Sequence, residues 1–248
     1  KYNYIIIFMN KIKTVIAAGG LGTRLQGFRG NESTKILLEV DGTPMIVRQI
    51  EQLSSWGLTE FIIITNPAFD KLIKDVLHSY FPKKNINFTT QYEQKGISHA
   101  LMCAKEFITS GDTVLFILGD NFFEFSPIIN LKMDDITKNR GAHIFTYKVN
   151  NPEEFGVAEL DPNNNVVSIE EKPKIPKTNN AVAGVYLFDD TVMKKIETLK
   201  PSARGEYEVT DLCNLYIFEG TCKNITLEGW CIDAGTPDRI LELESKLS

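Results

Sequence analysis

Three glycines and an arginine follow the first apolar segment of the chain. Residues 14–18 (TVIAA) predict a buried strand, and Gly19, Gly20 and Gly22 come directly after it, with Arg24 two residues further on. Glycine lets main-chain N–H groups approach a phosphate, and successive N–H groups in a turn form an anion-binding concavity. Arginine adds a planar cation with several donors, which suits phosphate oxygens. The segment therefore predicts a binding site for a nucleotide polyphosphate.

The spacing of these glycines differs from two other phosphate-binding motifs. The dinucleotide fingerprint G-x-G-x-x-G has a third glycine where this chain has Leu25. The ATPase motif G-x-x-x-x-G-K-S/T requires a lysine that this segment lacks at that offset. The glycines alone leave a second interpretation open, in which they form a tight turn between a strand and a helix and the arginine is exposed.

The composition limits the classes of protein to consider. The 248 residues suffice for one large or two small domains, and 43% hydrophobic and 24% charged residues are ordinary for a globular protein. A net charge of −5 argues against a general nucleic-acid binder. The four cysteines form no C-x-x-C pair, so we expect no zinc site or disulfide framework and a cytoplasmic location.

The N-terminal residues are apolar but are too few to span a bilayer, so we expect no membrane association. Two interpretations of residues 1–8 stay open. They are either an extension without a role in the chemistry or a short additional strand.

Strand and helix patterns alternate up to about residue 140, which predicts a parallel sheet with helices on both faces. Ligands of such sheets bind beyond the carboxyl ends of the strands, where the glycine segment and Asp120 both lie. After residue 140 strand patterns predominate. We therefore expect one α/β domain with a cleft between two lobes, about 11–140 and about 141–248. Helices are predicted at 44–56, 69–81, 98–107, 191–199, 210–218 and 237–247.

Five motifs in order resemble those of the sugar-1-phosphate nucleotidyltransferases, most closely the glucose-1-phosphate thymidylyltransferases, over about residues 13–243. The resemblance implies an α/β fold with a Rossmann-like, mainly parallel sheet flanked by helices, and a β-rich sugar-binding lobe. It also implies transfer of a nucleotidyl group from a nucleoside triphosphate to a sugar 1-phosphate, which gives an NDP-sugar and pyrophosphate. The motifs are G-G-L-G-T-R-L at 19–25, Lys35, L-G-D-N at 118–121, E-E-K-P at 170–173 and W-C-I-D-A-G-T-P at 230–237.

Such a reaction needs cations more than it needs a base. Its nucleophile is a phosphate oxygen already ionised at pH 7, which must attack the α-phosphorus of a polyanion, so catalysis depends on positioning and on positive charge. The resemblance implies that Arg24 binds the β- and γ-phosphates and that Lys35 contacts the triphosphate. It implies that Lys172 binds the phosphate of the sugar. The three histidines are scattered, and we expect each to be structural or exposed: His78, His99 and His143.

The resemblance also implies a Mg²⁺ cofactor and the residues that contact each substrate. Mg²⁺ favours one or two carboxylates together with substrate phosphates, and Asp120 and Asp233 match the metal-binding positions. The sugar-binding positions are matched by Gly156, Glu171 and Val182. The nucleotide-binding positions are matched by Gly19, Gly20, Gly22, Thr23, Gln91, Gly96 and Asp120.

Gln91 matches a position that contacts a pyrimidine base. Its carboxamide offers a donor and an acceptor, which complement O4 and N3–H of thymine or uracil, so dTTP or UTP is the expected donor. The amide could turn over to accommodate cytosine unless a neighbour fixes its orientation. Gly96 is expected to let the backbone approach the base, and residues 92–96 to exclude purines by size.

The chain departs from the family pattern in two places. Residues 26–34 contain no proline, and Lys35 follows Arg24 by eleven positions rather than ten, so either Arg29 or Lys35 could contact phosphate. The sequence also ends soon after Asp233, without the helical tail of the long thymidylyltransferases. We therefore expect weak feedback inhibition, and a homo-oligomer stays open.

Two alternatives to the predicted activity also stay open. One is a catalytically inactive regulatory homologue that binds sugar nucleotides. The other is a nucleotidyltransferase that uses CTP, GTP or ATP. The sequence does not name the sugar.

Overall fold

The computed structural model describes residues 12–30, 34–128, 131 and 140–247. Residues 1–8, for which an extension or an extra strand is predicted, lie outside this part of the chain. The described strands are β1 (Ile12–Ala17), β2 (Glu39–Val40), β3 (Thr43–Pro44), β4 (Glu60–Thr65), β5 (Asn85–Thr90), β6 (Thr113–Leu118), β7 (Asn121–Phe123), β8 (Ala142–Lys148), β9 (Gly156–Leu160), β10 (Val166–Glu171), β11 (Asn180–Phe188), β12 (Cys222–Thr226) and β13 (Cys231–Asp233).

Six α-helices accompany these strands in the described residues, and each lies within a residue or two of a predicted helix or inside one. The helix predicted over 98–107 ends early, and a 3-10 turn covers its last residues, Lys105–Phe107. The helices are α1 (Met45–Ser55), α2 (Asp70–Tyr80), α3 (Ile97–Met102), α4 (Val192–Ile196), α5 (Val209–Phe218) and α6 (Pro237–Leu247). No described helix is long and apolar enough to cross a membrane.

One mixed sheet of nine strands runs through both halves of the chain. Its main path has the order β10-β9-β11-β6-β1-β4-β5, and β8 pairs with β11 and β12. Strands β5, β4, β1 and β6 are parallel, as the alternation of strands and helices predicts. Strand β11 is antiparallel to β6, β8 and β9, so the strands of the second half extend the same sheet.

Successive strand residues point to opposite faces of this sheet, where they form two separate cores. In β1, Ile16 packs with helices α1 and α2 on one face, and its neighbour Val15 packs with α3, α4 and α5 on the other. The helices cover both faces because each has an apolar stripe at helical spacing. A third cluster joins α6 to Leu25 and Ile232, next to the glycine segment and to β13.

The ends of β1 and β6 lie side by side and bring the predicted site together. Ala17 and Leu118 are paired in register, and Gly119 N–H donates to the Ala17 carbonyl at 2.9 Å. A Cβ at Gly119 would lie 2.9 Å from that oxygen, so only glycine fits there. Asp120 follows directly. Strand β7 then pairs with β13, which places Asp233 opposite Asn121.

Candidate active site

A cleft of about 800 Å³ opens beyond the carboxyl ends of β1 and β6. Its lining comes from both halves of the chain and includes most of the residues predicted from the sequence. From the first half these are Gly19, Gly20, Arg24, Lys35, Gln91, Gly96 and Asp120, and from the second half Gly156, Glu171, Lys172, Val182 and Asp233. Residues far apart in sequence therefore meet at a single site.

Two predicted nucleotide-binding residues do not line the cleft. The Thr23 side chain is exposed, and Gly22 packs against Lys35, where a Cβ would lie 2.7 Å from the Lys35 Cβ. Gly22 also has a φ of 64°, a left-handed conformation that favours glycine. This glycine is required for the close approach of Lys35 to the loop, whereas the sequence predicts direct contact with the nucleotide.

The backbone of the glycine segment is held by side chains from neighbouring loops. Asn66 donates from Nδ2 to the Gly19 carbonyl at 2.9 Å, and the Thr34 hydroxyl donates to the Gly20 carbonyl at 3.2 Å. A Cβ at Gly19 would lie 3.0 Å from the carbonyl oxygen of Thr65. The loop therefore passes so close to the end of β4 that a side chain at this position would require the β4 backbone to shift.

Lys35, rather than Arg29, reaches the cleft. Arg29 lies outside the cleft lining and forms two bonds to Glu244 on α6, Nη1 to Oε1 at 2.6 Å and Nη2 to Oε2 at 2.9 Å. The hydrogen bond from Arg29 lowers the pKa of Glu244 to about 2. This pair ties the segment after Arg24 to α6, so that Lys35, and not Arg29, faces the site together with Arg24.

Lys35 and Asp120 form an ion pair at the base of the cleft. The Lys35 ammonium donates to Oδ2 of Asp120, whose side chain is only 6% exposed. Burial disfavours both charges, but their mutual attraction and hydrogen bond outweigh it. The pKa of Lys35 is therefore raised and that of Asp120 is lowered. Both groups are held in their charged forms.

Asp233 lies beside this pair, and its pKa is shifted in the direction opposite to that of Asp120. Burial, followed by repulsion from Asp120, raises the pKa of Asp233 to about 7. Its Oδ1 is buried without a hydrogen-bond partner. Ala234 N–H donates to the Asp120 carbonyl at 2.8 Å, so the two carboxylates are linked through the backbone as well.

Arg24 approaches Asp233 from the glycine segment. A Cβ at Gly235 would lie 2.7 Å from Arg24 Nη2 and 2.8 Å from Asp233 Oδ1, so the guanidinium and the carboxylate flank this glycine on the same side. Attraction to Arg24 lowers the pKa of Asp233, but this effect is smaller than those of burial and of repulsion from Asp120. Arg24 itself is exposed to the cleft and is accessible to a ligand.

The two aspartates fit a divalent cation. Oxygen ligands suit Mg²⁺, and a buried carboxylate oxygen without a partner, next to a second carboxylate, lacks the positive charge that such an ion supplies. Within the described residues there is no group of three or more His, Cys, Asp or Glu side chains placed to hold a metal. Asp120 and Asp233 would therefore share the ion with groups from a substrate.

The second half of the chain contributes a lysine with a strained backbone. The backbone of Lys172 has a φ of 45°, a value that residues other than glycine rarely adopt. Its N–H donates to the Phe155 carbonyl at 2.9 Å. Its side chain is exposed to the cleft. Residues held in such conformations concentrate at functional sites.

Glu171, next to Lys172, forms a cluster with Glu208 and Arg204. Burial, with repulsion from Glu208, raises the pKa of Glu171. Arg204 contacts both carboxylates, with Nη2 3.4 Å from Glu171 Oε1 and 2.8 Å from Glu208 Oε2. A Cβ at Gly156 would lie 2.8 Å from Cγ2 of Thr210 and 3.4 Å from Glu171 Oε2, so glycine leaves this wall of the cleft open.

Gln91 is buried just after β5 and lines the cleft. Its Nε2 lies 3.2 Å from the Gly96 carbonyl oxygen and 3.1 Å from Nδ1 of His99. Its Oε1 points toward the glycine segment, 3.5 Å from the position of a Cβ on Gly19. The Gly96 carbonyl therefore holds the amide nitrogen of Gln91 toward the protein, next to His99, and leaves the amide oxygen on the side of the glycine segment.

The backbone at position 96 lies against another segment of the protein. Gly96 has a φ of 99°, and a Cβ there would lie 2.8 Å from both the nitrogen and the oxygen of Tyr207. The missing side chain makes room for a segment of the protein itself. Gly96 still lines the cleft, with its carbonyl engaged by Gln91.

Comparison with known proteins identifies the family. Residues 13–248 match the model of the nucleotidyl transferase family. The chain belongs to this family. It is 38% identical over 240 residues to the glucose-1-phosphate thymidylyltransferase of Neisseria gonorrhoeae, covering 94% of this chain and 82% of the relative. It is 36% identical to the enzyme of the same name from Mycolicibacterium smegmatis, over 93% of this chain and 80% of the relative.

Solved structures of relatives have the same fold as this nucleotidyltransferase. A Bacillus anthracis protein, provisionally assigned as a glucose-1-phosphate thymidylyltransferase and crystallised with a sucrose, has a TM-score of 0.85 and 35% identity, covering 95% and 94% of the two chains. The structure of a UDP-glucose pyrophosphorylase complexed with UDP-glucose has a TM-score of 0.77 to this chain at 20% identity, and this similarity shows only a shared fold. The predicted family, fold class and nucleotidyl transfer are confirmed, and nothing favours an inactive homologue.

Sequence reasoning missed several residues that hold the nucleotidyltransferase site together. Gln49 on α1 is fully buried and donates to the carbonyls of Leu118 and Asn121 at 2.7 and 3.2 Å. Asn121 accepts from Gly184 N–H at 3.1 Å, where a Cβ would lie 2.7 Å from the amide of Asn121. The sequence indicates a structural role for Gln49 only in that this polar residue lies on the apolar face of a helix.

We expect the Lys35–Asp120 pair to be needed for stability as well as for binding. The substitution Lys35→Met leaves a buried carboxylate without its partner, which should lower the free energy of unfolding by about 3–5 kcal/mol. The double variant Lys35→Met/Asp120→Asn should regain most of that loss, because the carboxylate that Lys35 neutralised is then gone as well. Denaturant unfolding in metal-free buffer measures both values.

The control is Lys71→Met, which removes an exposed partner of Asp75 and should cost at most about 1 kcal/mol. A double variant as unstable as Lys35→Met alone would show that the buried carboxylate is not what this lysine stabilises.

Proposed function

We propose that this protein transfers a thymidylyl or uridylyl group from dTTP or UTP to glucose 1-phosphate, giving the nucleoside-diphosphate sugar and pyrophosphate. The observation that carries the proposal is the cleft, in which cationic side chains from both halves of the chain surround two carboxylates suited to Mg²⁺. The names of relatives at 36–38% identity support glucose 1-phosphate as the acceptor.

The proposed reaction exchanges one phosphoryl bond for another. An oxygen of the sugar phosphate attacks the α-phosphorus, a P–O bond forms there, and the bond to the β-phosphate breaks to release pyrophosphate. Because the attacking oxygen is already an anion, no proton has to be removed. Catalysis therefore consists of orienting two anions and offsetting their charge.

The side chains of the cleft divide this work. Arg24, exposed at the end of the glycine segment, binds the β- and γ-phosphates that leave as pyrophosphate. Lys35 contacts the triphosphate from the base of the cleft. Lys172 binds the phosphate of the sugar and aims it at the α-phosphorus. Mg²⁺, when held by Asp120 and Asp233, supplies positive charge to the triphosphate.

The sugar and the base occupy opposite ends of the cleft in this proposal. Glu171 accepts hydrogen bonds from sugar hydroxyls, next to the space left by Gly156 and beside Val182 on β11. Gln91 and Gly96 contact the base. Residues 11–140 then form the nucleotide-binding lobe, and residues 141–248 form the sugar-binding lobe with the second metal ligand.

The decisive experiment measures pyrophosphate release for each pair of donor and acceptor. The donors are dTTP, UTP, CTP, ATP and GTP, and the acceptors are the 1-phosphates of glucose, galactose and mannose. The highest kcat/KM is expected with glucose 1-phosphate and dTTP or UTP. ATP or GTP as the best donor would contradict the role of Gln91, and no release with any pair would indicate an inactive homologue.

The variant Asp233→Asn should fold normally and lose activity. The amide keeps the shape of the carboxylate but binds a divalent cation weakly, and several kcal/mol of charge stabilisation correspond to a loss of about 100-fold or more. Activity and the melting temperature are measured together, with excess chelator as a parallel treatment. The matched control is Asp238→Asn, an exposed aspartate five residues on. Full activity of Asp233→Asn, or of the wild type in chelator, would remove the metal from the proposal.

Lys172→Ala should impair use of the sugar 1-phosphate and leave nucleotide binding nearly intact. Lys172 lies on the sugar side of the cleft, next to Glu171, so its loss should reduce kcat/KM for glucose 1-phosphate by about 100-fold. Calorimetry measures the affinity for the triphosphate, and steady-state kinetics measure the dependence on the sugar. Lys174→Ala, exposed and two residues away, serves as the control. A lost triphosphate affinity with normal use of the sugar would reverse the assignment.

A further inference from the structure

Asn66 connects the glycine segment to the turn before α2 through a side chain with only one possible orientation. The residue follows β4 directly and is 2% exposed. Its Oδ1 accepts from the N–H groups of Ala68 and Phe69 at 3.0 and 3.1 Å, and its Nδ2 donates to the Gly19 carbonyl at 2.9 Å. Main-chain N–H groups only donate and a carbonyl oxygen only accepts, so the three contacts together fix which atom of the amide is which.

The bond to Gly19 matters because adjacent glycines have a freely variable backbone. Glycine loses more conformational freedom than any other residue when it is ordered. The bond from Asn66 fixes the peptide unit between Gly19 and Gly20. The next peptide unit is fixed by the Thr34 hydroxyl, which donates to the Gly20 carbonyl at 3.2 Å. A ligand that binds here therefore does not have to order this backbone, which is the cost that a preorganised site avoids.

The same bond determines the direction of the Gly20 N–H. In a trans peptide unit the carbonyl and the N–H point in opposite directions, and no described peptide bond is cis. Because the Gly19 carbonyl is turned toward the buried Asn66, the Gly20 N–H is turned away from it. That N–H has no hydrogen-bond partner among the described residues. Both glycines line the cleft, whereas Asn66 lies outside its lining.

Gly20 also lies next to the cation at the base of the cleft. A Cβ at this position would be 3.6 Å from Cε and 4.0 Å from Nζ of Lys35. An N–H group without a partner, beside an ammonium group, is suited to an anion.

We propose that Asn66 is a positioning residue, which holds the peptide unit between Gly19 and Gly20 so that the Gly20 N–H is presented to a phosphate of the nucleotide. Asn66 acts through the backbone and does not contact the substrate. Its amide oxygen has a separate role, since it stabilises the turn before α2. The inference rests on the proposed nucleotidyl transfer, and it adds a buried residue outside the cleft that preorganises the phosphate site.

The test separates the two ends of the Asn66 side chain. Asn66→Ser keeps a hydroxyl oxygen that can accept from Ala68 and Phe69, but it has no second arm to reach the Gly19 carbonyl. Asn66→Ala loses both ends. Calorimetry with Mg²⁺ present measures the affinity for dTTP or UTP, whichever the wild type prefers. Both variants should bind it about tenfold more weakly than the wild type, since each loses the orienting hydrogen bond.

Stability and the second substrate distinguish this effect from general damage. Asn66→Ala should have the lower melting temperature of the two variants, because only this variant also loses the turn, although both lose the same affinity. The KM for glucose 1-phosphate should stay within about twofold of the wild-type value in Asn66→Ser. An Asn66→Ser variant that binds the triphosphate as tightly as the wild type would overturn the proposal.

The matched control is Asp70→Ala, which weakens the same region without touching the glycine segment. The Asp70 carboxylate accepts from the Thr65 hydroxyl at 2.6 Å and from Lys74 at 2.8 Å. Its loss should lower the melting temperature and leave the affinity for the triphosphate within about twofold of the wild type. A loss of affinity as large as that of Asn66→Ser would assign the effect to stability and overturn the positioning role.

Inorganic pyrophosphate, which has neither base nor sugar, separates this inference from the proposed function. Its affinity should also fall in Asn66→Ser. A wild-type protein that binds pyrophosphate with an affinity that Asn66→Ser does not alter contradicts the inference alone. A wild-type protein that releases no pyrophosphate with any pair of substrates, but binds it in a way that depends on Asn66, contradicts the proposed function and supports the inference. Binding of neither pyrophosphate nor a triphosphate contradicts both.

Discussion

The cleft depends on keeping two carboxylates side by side where little water reaches them. Their repulsion and their burial both resist the ionisation of the second carboxyl, which is why the pKa of Asp233 rises while that of Asp120 falls. A main-chain constraint maintains this arrangement, since β7 and β13 pair and hold the two residues together whatever their charge. Lys35 is hydrogen-bonded to Asp120, and its attraction for Asp233 does not offset the burial of that carboxyl. The remaining negative charge makes the site receptive to a cation.

The second constraint is the continuity of the sheet. Strand β11 carries Val182, which lines the cleft, and is hydrogen-bonded to β6, which ends just before Asp120. Gly184 of the same strand also contacts Asn121 directly. Two anionic substrates that must meet at one phosphorus atom are best oriented by walls that share a rigid backbone. A sheet common to both halves provides such a backbone.

Much of the fold follows from local patterns in the sequence. The apolar runs of β1, β4 and β6 and the stripes of α1 and α2 specify the parallel half of the sheet, and ordered motifs specify which residues meet in the cleft. The short strands β2, β3, β7 and β13 were not predicted, because two or three residues show no periodicity. Their pairing depends on contacts between distant segments, and so does the position of Asp233 beside Asp120.

The orientation of side chains was the least predictable feature. The carboxamide of Gln91 offers a donor and an acceptor, and only the position of the Gly96 carbonyl shows which of them is turned toward the protein. The same holds for Arg29 and Lys35, since the altered spacing after Arg24 is compatible with either reaching phosphate. The ion pair with Glu244, over two hundred residues away, takes Arg29 out of the cleft.

The left-handed backbone of Lys172 has a consequence for how this chain can change over time. Replacement by glycine would relieve the strain and would be favoured by any selection that rewards folding alone. Under the proposed function, the lysine is retained because its side chain binds the phosphate of the sugar. If that role is lost in a lineage, the residue should drift to glycine or asparagine early, and position 172 would then mark the loss of the proposed function in sequences that otherwise keep the fold.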